Sequence, residues 1–434
     1  MKIWLVSIGE PIPIEGNHVR LMRSGMLAQE LASRGHEVTW WTCTFNHSEK
    51  RHLFAEQRKI LLCESYRIIL LHSIGYKKNI SVRRFIDHVF LGHNLLQSFR
   101  MEVRPDIIFC CMPALELSYM TVRYGNSQSI PVVIDLRDMW PDIFLNRMPI
   151  FIRSIAKFPM RYFLHQIRFI CRNARALTGI TDGYVEWGLR YANRSPTWRD
   201  RTFPLAYQAE PPTAEEIRDA EIFWRREGVF LDSDERFVVC LFANIVRQLD
   251  LETVIAAAQR LEKSGRKFRF VFCGRGEALE YFKSVAGDCS TILFPGWVNK
   301  AQIWTLMRIA KAGLVPLRST PDFIISIPNK VSEYMSAGLP IVSSLSGTLQ
   351  KLLLQRCVGR TYGNGNIEEC FRIFAELYDN PSKLRQMGKE SILLFREKFQ
   401  AEKVYGDMCK HLEMIFRDNF DQARPSTCRV DKLP

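Results

Sequence analysis

Residues 3–41 read IWLVSIGEPIPIEGNHVRLMRSGMLAQELASRGHEVTWW. This stretch contains an apolar run, a loop with Gly16, a segment with helical periodicity and a second apolar run. The two apolar runs, at 3–8 and 37–41, have the length of strands, and residues 19–33 have the spacing of a helix. This order predicts a β-loop-α-β unit. In such a unit the loop after the first strand leads to the amino end of the helix, where backbone N–H groups can bind phosphate.

The alternation of strand and helix candidates continues along the chain. Further strand candidates lie at 66–71, 106–111, 131–136, 176–180, 237–242, 268–273, 291–294, 312–316 and 340–343. Strands separated by helical segments predict parallel, doubly wound sheets. The segment FPLAYQAEPPTAEE, residues 203–216, interrupts the alternation, so the fold class is α/β with two Rossmann-like domains.

The predicted domain limits follow from this interruption. We predict a first domain at 1–207 and a second at 208–385, then two helices at 386–420 that pack back toward the first domain, and a disordered tail at 421–434. Ligands bind outside the carboxyl ends of parallel strands, so we expect the two sheets to face a central cleft that takes a phosphorylated molecule.

Composition narrows the functional classes. Hydrophobic residues make up 47% of the 434 residues and charged residues 24%, as in globular proteins. The net charge of +14 favours an anionic partner, which leaves nucleic acid, a membrane surface and nucleotide phosphate open. The twelve cysteines include no CxxC pair and are expected to be reduced core thiols. The opening residues make a poor signal peptide and no spanning segment is visible, so we expect a cytoplasmic protein.

Several segments carry a resemblance to a known family. CGRGEALEYF (273–282), ILFPGWVNKAQIWTLMRIAKAGLVPL (292–317) and IPNKVSEYMSAGLPIVSS (327–344) resemble, in order and spacing, the donor-binding half of retaining glycosyltransferases of family 4. The amino-terminal segment and VVIDLRDMWPDIF (132–144) extend the resemblance over nearly the whole chain. It implies the GT-B fold and points to the bacterial subgroup that builds surface polysaccharides such as O-antigen and capsule. The first domain would then bind the acceptor and the second the donor.

The resemblance implies a donor-binding set. Its members are Gly16, Asn17, Gly274, Gly276, Trp297, Val298, Asn329 and Glu333. Gly16 and Asn17 adjoin the donor phosphates, Trp297 and Val298 correspond to the segment that meets the base, and Asn329 caps the helix that carries Glu333. The alternative for Gly16 and Asn17 is an ordinary turn glycine with a helix cap. The alternative for Trp297 is a tryptophan packed in the core.

Glu333 takes the place of the second glutamate in the E-x7-E motif of these enzymes, which usually holds the donor ribose. Ile325 occupies the position of the first glutamate, so the sequence departs from the motif there. The alternative for Glu333 is an acid favoured at the start of a helix by the helix dipole.

Four residues are candidates for catalysis: Arg137, Asp138, Arg247 and Lys330. Charged side chains at the end of the apolar strand 131–136 are expected where they face a ligand, and the resemblance puts Asp138 or Arg137 near the anomeric carbon of the donor. Arg247, in the altered loop NIVRQLD, and Lys330 would offset the charge of the leaving diphosphate. The alternative for Arg137 is a buried pair with Asp135 that orders its loop. The alternative for Arg247 is a surface arginine, and that for Lys330 is a solvated lysine.

The implied reaction transfers a sugar, with retention, from a nucleoside diphosphate sugar to a saccharide hydroxyl, UDP-sugars being the expected donors. The single Asp-x-Asp triplet, Asp232-Ser233-Asp234, is not recognised as a metal-binding motif, so we predict no metal and no cofactor. Basic residues are spread along the chain without a recognisable nucleic-acid-binding motif, so we predict no nucleic-acid partner. Two stretches, 149–175 and 81–100, interleave basic and aromatic residues and predict peripheral association with an anionic membrane and a polyprenyl-diphosphate-linked acceptor. Each stretch could instead cover the sheet. A nucleotide-sugar 2-epimerase and a degenerate partner subunit remain alternatives.

Overall fold

The computed structural model describes residues 1–15, 19–146, 160–230 and 235–423, and divides the chain into two compact units. Unit 1 comprises residues 1–204 and 401–434, and unit 2 comprises residues 205–400. The predicted limit at 207/208 lies three residues from this division. The predicted segment 386–420 is shared: its first part belongs to unit 2, and the part from Ala401 onward belongs to unit 1.

Unit 1 contains an eight-stranded sheet in the order β10-β9-β8-β7-β1-β2-β6-β5 and a separate antiparallel pair, β3 and β4. Its strands are β1 (Lys2–Val6), β2 (Glu37–Cys43), β3 (Phe45–Asn46), β4 (Arg51–His52), β5 (Arg58–Cys63), β6 (Tyr66–Leu71), β7 (Ile107–Met112), β8 (Val132–Leu136), β9 (Ala176–Gly179) and β10 (Arg201–Thr202). Neighbouring strands of the large sheet run parallel except for β5, which pairs antiparallel with β6 at the edge. The central strands β7 and β8 are buried along their whole length, as expected for a sheet covered on both faces.

The helices described in unit 1 follow the strands in the predicted alternation, except between β2 and β6, where the short strands β3 and β4 and the edge strand β5 replace the expected helix. The helices are Arg23–Ser33, Val82–Met101, Leu115–Ser127, Asp142–Asn146, Arg161–Asn173, Asp182–Ala192 and Ala401–Ala423. The last of them packs on the first. The first helix begins at Arg23, not at residue 19, because Met22 is extended.

Unit 2 contains a six-stranded sheet in the order β13-β12-β11-β14-β15-β16, and all its pairs are parallel. The strands are β11 (Phe237–Phe242), β12 (Phe268–Cys273), β13 (Ile292–Gly296), β14 (Ala312–Val315), β15 (Ile341–Ser343) and β16 (Gly359–Thr361). The helices described are Ala214–Arg226, Leu251–Lys263, Leu279–Ala286, Lys300–Ile309, Pro321–Ile324, Asn329–Ser336, Thr348–Gln355, Ile367–Asp379 and Pro381–Lys398. The predicted doubly wound parallel sheets are thus confirmed in both units.

No helix in the described ranges is long and apolar enough to cross a membrane. The predicted disordered tail at 421–434 begins too early, because residues 421–423 are the last of the helix Ala401–Ala423. Residues 424–434 lie outside the described part of the chain, as do residues 149–159 of the predicted membrane-binding stretch 149–175.

Candidate functional site

Three loops meet at the carboxyl edge of the sheet in unit 2. The Gly274 N–H donates to the Gly296 carbonyl at 2.7 Å, and the Ile245 N–H donates to the Arg275 carbonyl at 2.8 Å. The loops after β11, β12 and β13 are therefore held together by backbone hydrogen bonds. This is the edge at which ligands of doubly wound sheets bind.

Gly274 and Gly276 are required by this close approach. A Cβ on Gly274, at φ +145°, would lie 1.8 Å from the Ala243 carbonyl oxygen, and one on Gly276, at φ +158°, would lie 2.2 Å from that of Ile245. Only glycine combines this backbone conformation with that contact. The two glycines thus shape the loop whether or not their backbone also contacts a nucleotide.

Trp297 and Val298 follow β13 at the same edge. The Trp297 side chain is 61% exposed, whereas Val298 is buried. The alternative of a core-packed tryptophan is therefore wrong, because the residue follows Gly296, at φ +82°, in a loop that leads out of the sheet. An exposed indole beside the loops held by Gly274 is available for stacking on a flat ligand.

The helix Asn329–Ser336 is fixed to the sheet by Tyr334. Its hydroxyl accepts the Phe242 N–H at 3.3 Å and lies 3.3 Å from the carbonyl oxygens of Cys240 and Leu314. Gly313 leaves room for the ring, since a Cβ there would lie 2.3 Å from it. The contact with Phe242 connects this helix to the end of β11, from which the loop through Ile245 starts.

Glu333 and Lys330 lie one turn apart on this helix. Glu333 is only 6% exposed, so its carboxylate is not a solvated surface acid. Burial lowers the pKa of Lys330 to about 8, although the negative charge of Glu333 opposes the shift. The alternative of a fully solvated lysine does not agree with this burial. A partly desolvated ammonium interacts more strongly with a phosphate than a surface lysine does, because the effective dielectric constant around it is lower.

The predicted cap of this helix is wrong. Pro328, with extended backbone, is the N-cap residue and gives no side-chain hydrogen bond, while Asn329 is the first helical residue. An asparagine in the first turn has helical backbone and cannot accept the N–H groups that a cap residue accepts. The Asn329 carbonyl instead accepts the Ser332 hydroxyl at 2.8 Å.

Arg247 is exposed, and its guanidinium lies 4.9 Å from the centroid of the Tyr281 ring. Its carbonyl oxygen accepts from Arg318 at 3.4 Å. The structure thus places Arg247 next to the loops of Gly274 and Gly276, two residues after Ile245. Its role at a phosphate stays a prediction.

In unit 1, Asp135 is the centre of a buried ionic network. It is fully buried on β8 and accepts from Arg23 at 2.8 and 2.9 Å, from Arg137 at 2.8 Å and from the Thr178 hydroxyl at 2.9 Å. Burial alone would raise the pKa of Asp135, but the Arg23 and Arg137 guanidiniums hold it well below its usual range. The alternative of a buried Asp135–Arg137 pair therefore describes part of this network. Sequence reasoning missed Arg23 because, in the amino-terminal segment, it singled out the loop residues Gly16 and Asn17 and not the helix that follows.

Arg137 also donates to the Glu10 carboxylate, and to the Cys111 sulfur at 2.8 Å. Asp138 accepts the Met139 N–H at 2.7 Å. Arg137 is thus neutralised by carboxylates of its own unit. The catalytic roles of Arg137 and Asp138 stay predictions, and Gly16 and Asn17 lie outside the described residues.

A cavity of about 220 Å³ opens in unit 1 at the carboxyl ends of β1, β2, β7 and β8. Its lining residues come from these strand ends, from β3, from the segments after β3 and β6, and from the helix Val82–Met101: Ile8, Gly9, Cys43, Phe45, His47, Tyr76, Arg84, Asp87, His88, Cys111, Pro113, Ala114 and Arg137. Of the predicted site residues, this set includes only Arg137. No group of three His, Cys, Asp or Glu side chains in the described part of the chain is arranged to hold a metal ion.

Similarity to known proteins is found in both sequence and fold. Residues 225–393 match the family model of glycosyl transferases group 1. This region contains the loops after β11, β12 and β13 and the helix of Lys330 and Glu333. A search of curated protein sequences finds no match.

The fold is that of GT-B enzymes. Sucrose-phosphate synthase from Thermosynechococcus elongatus superposes with a TM-score of 0.68 at 14% identity, over 97% of this chain and 100% of the other. HepE from Anabaena, in complex with UDP, gives 0.64 at 12% identity, over 95% and 100%. WaaG, a glycosyltransferase involved in lipopolysaccharide biosynthesis, gives 0.64 at 13%, over 94% and 99%. At these identities the likeness establishes the architecture, and the predicted GT-B fold is confirmed.

Proposed function

We propose that the protein is a glycosyltransferase that moves a sugar from a nucleoside diphosphate sugar, with UDP as the expected nucleotide, to a hydroxyl of a saccharide acceptor. The observation that carries the proposal is the match of residues 225–393 to glycosyl transferases group 1, because it covers the predicted donor-binding residues described in unit 2. UDP in the HepE complex supports the choice of nucleotide. Family 4, the hexosyl type of transfer and retention of configuration belong to the same proposal.

The roles proposed for the charged residues of unit 2 follow from the negative charge that develops on the donor during the reaction. As the glycosidic bond of the donor breaks, negative charge grows on the leaving phosphate, and fixed cations lower the barrier if they meet that charge in the transition state. Lys330 is mostly protonated at pH 7 because its pKa is about 8. We assign it and Arg247 to the leaving diphosphate, and Glu333 to the ribose hydroxyls. The acceptor proton would leave with the departing phosphate, so no metal or cofactor is part of the proposal.

Exposed apolar side chains support the proposed membrane association. Val82, Phe85, Ile86 and Phe90 are exposed on the helix Val82–Met101. The Phe85 ring lies 5.8 Å from that of Tyr162 on the neighbouring helix Arg161–Asn173, whose described residues include Arg168 and Arg172. Each of these two helices also has a buried face that packs on unit 1. The alternative that the helices cover the sheet therefore holds for their buried faces.

We therefore propose that the protein works on the cytoplasmic face of the plasma membrane, on a polyprenyl-diphosphate-linked acceptor in bacterial surface polysaccharide biosynthesis such as that of lipopolysaccharide or capsule. Cosedimentation with anionic liposomes at low salt tests the membrane part. Neutral liposomes are the control, and equal absence from both pellets contradicts it.

The nucleotide part is tested by thermal unfolding with UDP-, GDP- and dTDP-sugars, since a ligand of the native state raises the melting temperature. We expect a UDP-sugar or UDP to stabilise the protein and Glu333→Ala to remove most of the shift. Glu280→Ala, an exposed acid of the same unit, is the matched control. An unchanged shift in Glu333→Ala removes this residue from the site.

Activity assays with the stabilising donor separate the proposal from its alternatives. Transfer to a saccharide acceptor, or slow donor hydrolysis without one, supports a glycosyltransferase. Formation of an epimer without acceptor identifies a 2-epimerase, and nucleotide binding with neither reaction identifies a degenerate partner subunit.

A further inference from the structure

The cavity of unit 1 is bordered by two cations that form no ion pair with a carboxylate in the described part of the chain. Arg84, from the helix Val82–Met101, lines it, and Lys50 contacts the lining residues His47 and Tyr76. Within the described residues, neither Arg84 nor Lys50 forms an ion pair with an acid. Asp87, the acidic residue of the lining, accepts the Ser73 hydroxyl at 2.7 Å and the Ile74 N–H at 2.8 Å.

Tyr76 holds these cations in place. The Lys50 ammonium lies 5.0 Å and the Arg84 guanidinium 5.4 Å from the centroid of its ring. Asn79 joins the same two residues, because its side-chain oxygen accepts from Lys50 at 2.5 Å and its carbonyl accepts from Arg84 at 2.7 Å. Lys50 has φ +55°, which is uncommon for a residue other than glycine. Two positively charged groups are thus fixed on one aromatic ring.

His47 contacts both Tyr76 and Lys50. Its Nδ1 lies 2.6 Å from the Tyr76 hydroxyl and 3.3 Å from the Lys50 ammonium. An ammonium only donates, so Nδ1 accepts and the proton of the neutral ring is on Nε2. Burial, together with the charges of Lys50, Arg84 and His88, lowers the pKa of His47 to about 4, which keeps the ring neutral at pH 7.

Lys50 and Arg84 are like charges held close together on the Tyr76 ring. Burial and the nearby Arg84 charge lower the pKa of Lys50, as expected when like charges are held close together. Of the other charged groups near the cavity, Arg137 is neutralised by Glu10 and Asp135, and His88 lies 3.7 Å from the Glu116 carboxylate. A bound anion would offset the repulsion between Lys50 and Arg84.

The size of the cavity limits what it can take. Its volume of about 220 Å³ is below the roughly 300–1,000 Å³ of pockets that enclose a drug-sized ligand, so it fits one sugar ring rather than a chain. Its walls combine aromatic faces, such as Phe45 and Tyr76, with polar groups, and aromatic rings offer apolar faces to a sugar.

We propose that this cavity binds one acidic sugar residue of the acceptor, with Arg84 and Lys50 holding its negatively charged group. The proposal rests on the proposed function, which requires an acceptor, and adds the class of that acceptor. Phosphate and carboxylate share the required charge and are distinguished by experiment.

The test is titration of the protein, saturated with UDP, with glucose 6-phosphate, glucuronate, glucose and inorganic phosphate, followed by saturation-transfer NMR or by calorimetry for phosphate. We expect at least one acidic sugar to bind more tightly than glucose and more tightly than inorganic phosphate. Preference for glucose 6-phosphate identifies a phosphorylated residue, and preference for glucuronate a carboxylated one.

Arg84→Gln and Lys50→Gln should each weaken the acidic sugar by about tenfold or more, as for loss of a charge-assisted hydrogen bond. Arg100→Gln, which removes an exposed charge from the end of the same helix, is the matched control and should bind like the wild type. Melting temperatures show whether each variant is folded. If Arg84→Gln is not folded, Lys50→Gln tests the proposal in its place.

Equal binding of glucose and the acidic sugars, no binding of either acid, or unchanged affinity in both folded variants would overturn the proposal. Binding of inorganic phosphate as tight as that of the preferred sugar would overturn its sugar part. UDP binding is measured on the same samples, so a protein that binds UDP but no acidic sugar refutes this inference alone. A protein that binds no nucleotide refutes the proposed function.

Discussion

Asp135→Asn is expected to destabilise unit 1 strongly, because it leaves a buried guanidinium without its counter-ion. Arg23 is only 3% exposed, and Asp135 accepts from its Nε and Nη2 atoms at 2.8 and 2.9 Å. Removing one partner of a buried ion pair costs about 3–5 kcal/mol. In a domain of about 150–250 residues each kcal/mol lowers the melting temperature by about 2–4 °C, so we expect a decrease of about 6–20 °C.

The assay is thermal and urea unfolding, followed by circular dichroism, of the wild type, Asp135→Asn and the control Glu56→Gln. Glu56 is exposed, so its substitution should change stability by less than about 0.5 kcal/mol. The low folded-state pKa of Asp135 stabilises the fold above the unfolded-state pKa of about 4. This contribution is lost as the pH falls further, so the difference between wild type and variant should shrink below about pH 4.

A double-mutant cycle distinguishes this explanation from a general loss of packing. If the unpaired Arg23 causes the cost, Arg23→Met combined with Asp135→Asn should be less destabilising than the sum of the two single changes. Strict additivity, or a decrease of under about 2 °C in Asp135→Asn, would refute the reasoning.

Two predictions concern unit 2. Lys330 has a pKa of about 8 and is assigned to the leaving phosphate, so kcat/KM should fall as the pH rises above about 8. Lys330→Arg stays charged and should remove this fall. An unchanged pH profile in this variant would exclude Lys330 as the cause of the fall. Gly274→Ala would bring a Cβ to 1.8 Å from the Ala243 oxygen and should cost at least about 3 kcal/mol in urea unfolding. Gly265→Ala, also at positive φ but with open space around it, should cost only about 1 kcal/mol, and equal losses would contradict the steric explanation.

The parts of the fold that could be predicted from sequence are those buried on both faces. The predicted strands 66–71, 237–242 and 268–273 have the same bounds as β6, β11 and β12, because runs that are almost entirely apolar mark the buried inner strands of a sheet. The edge strand β5 was missed, since its side chains alternate between exposed and half-buried and it pairs antiparallel through a short turn. The two-residue strand β10 is too short to give a pattern.

The candidate site was predictable where chain neighbours act together. Lys330 and Glu333 are three residues apart, so a helix places both on one face, and the structure agrees. The cap assigned to Asn329 failed because a preceding proline, which has no side-chain acceptor, can also provide the extended backbone that starts a helix. The helix is instead fixed by Tyr334, whose hydrogen bonds reach two strands that are distant in sequence.

The pair of cations at the cavity of unit 1 could not be predicted because the groups that form and hold it come from three separate segments. Lys50 and His47 follow β3, Tyr76 follows β6, and Arg84 lies in the first turn of the helix Val82–Met101, whose sequence indicated only a surface rich in basic and apolar residues. Each residue alone has an ordinary structural explanation, and only the shared contacts with Tyr76 and Asn79 show that two cations are held together. A net charge of +14 predicts anionic partners without locating them. In the described part of the chain, no carboxylate forms an ion pair with Lys50 or Arg84. We infer the position of an anion site from this, because an anion that binds between two repelling cations stabilises them.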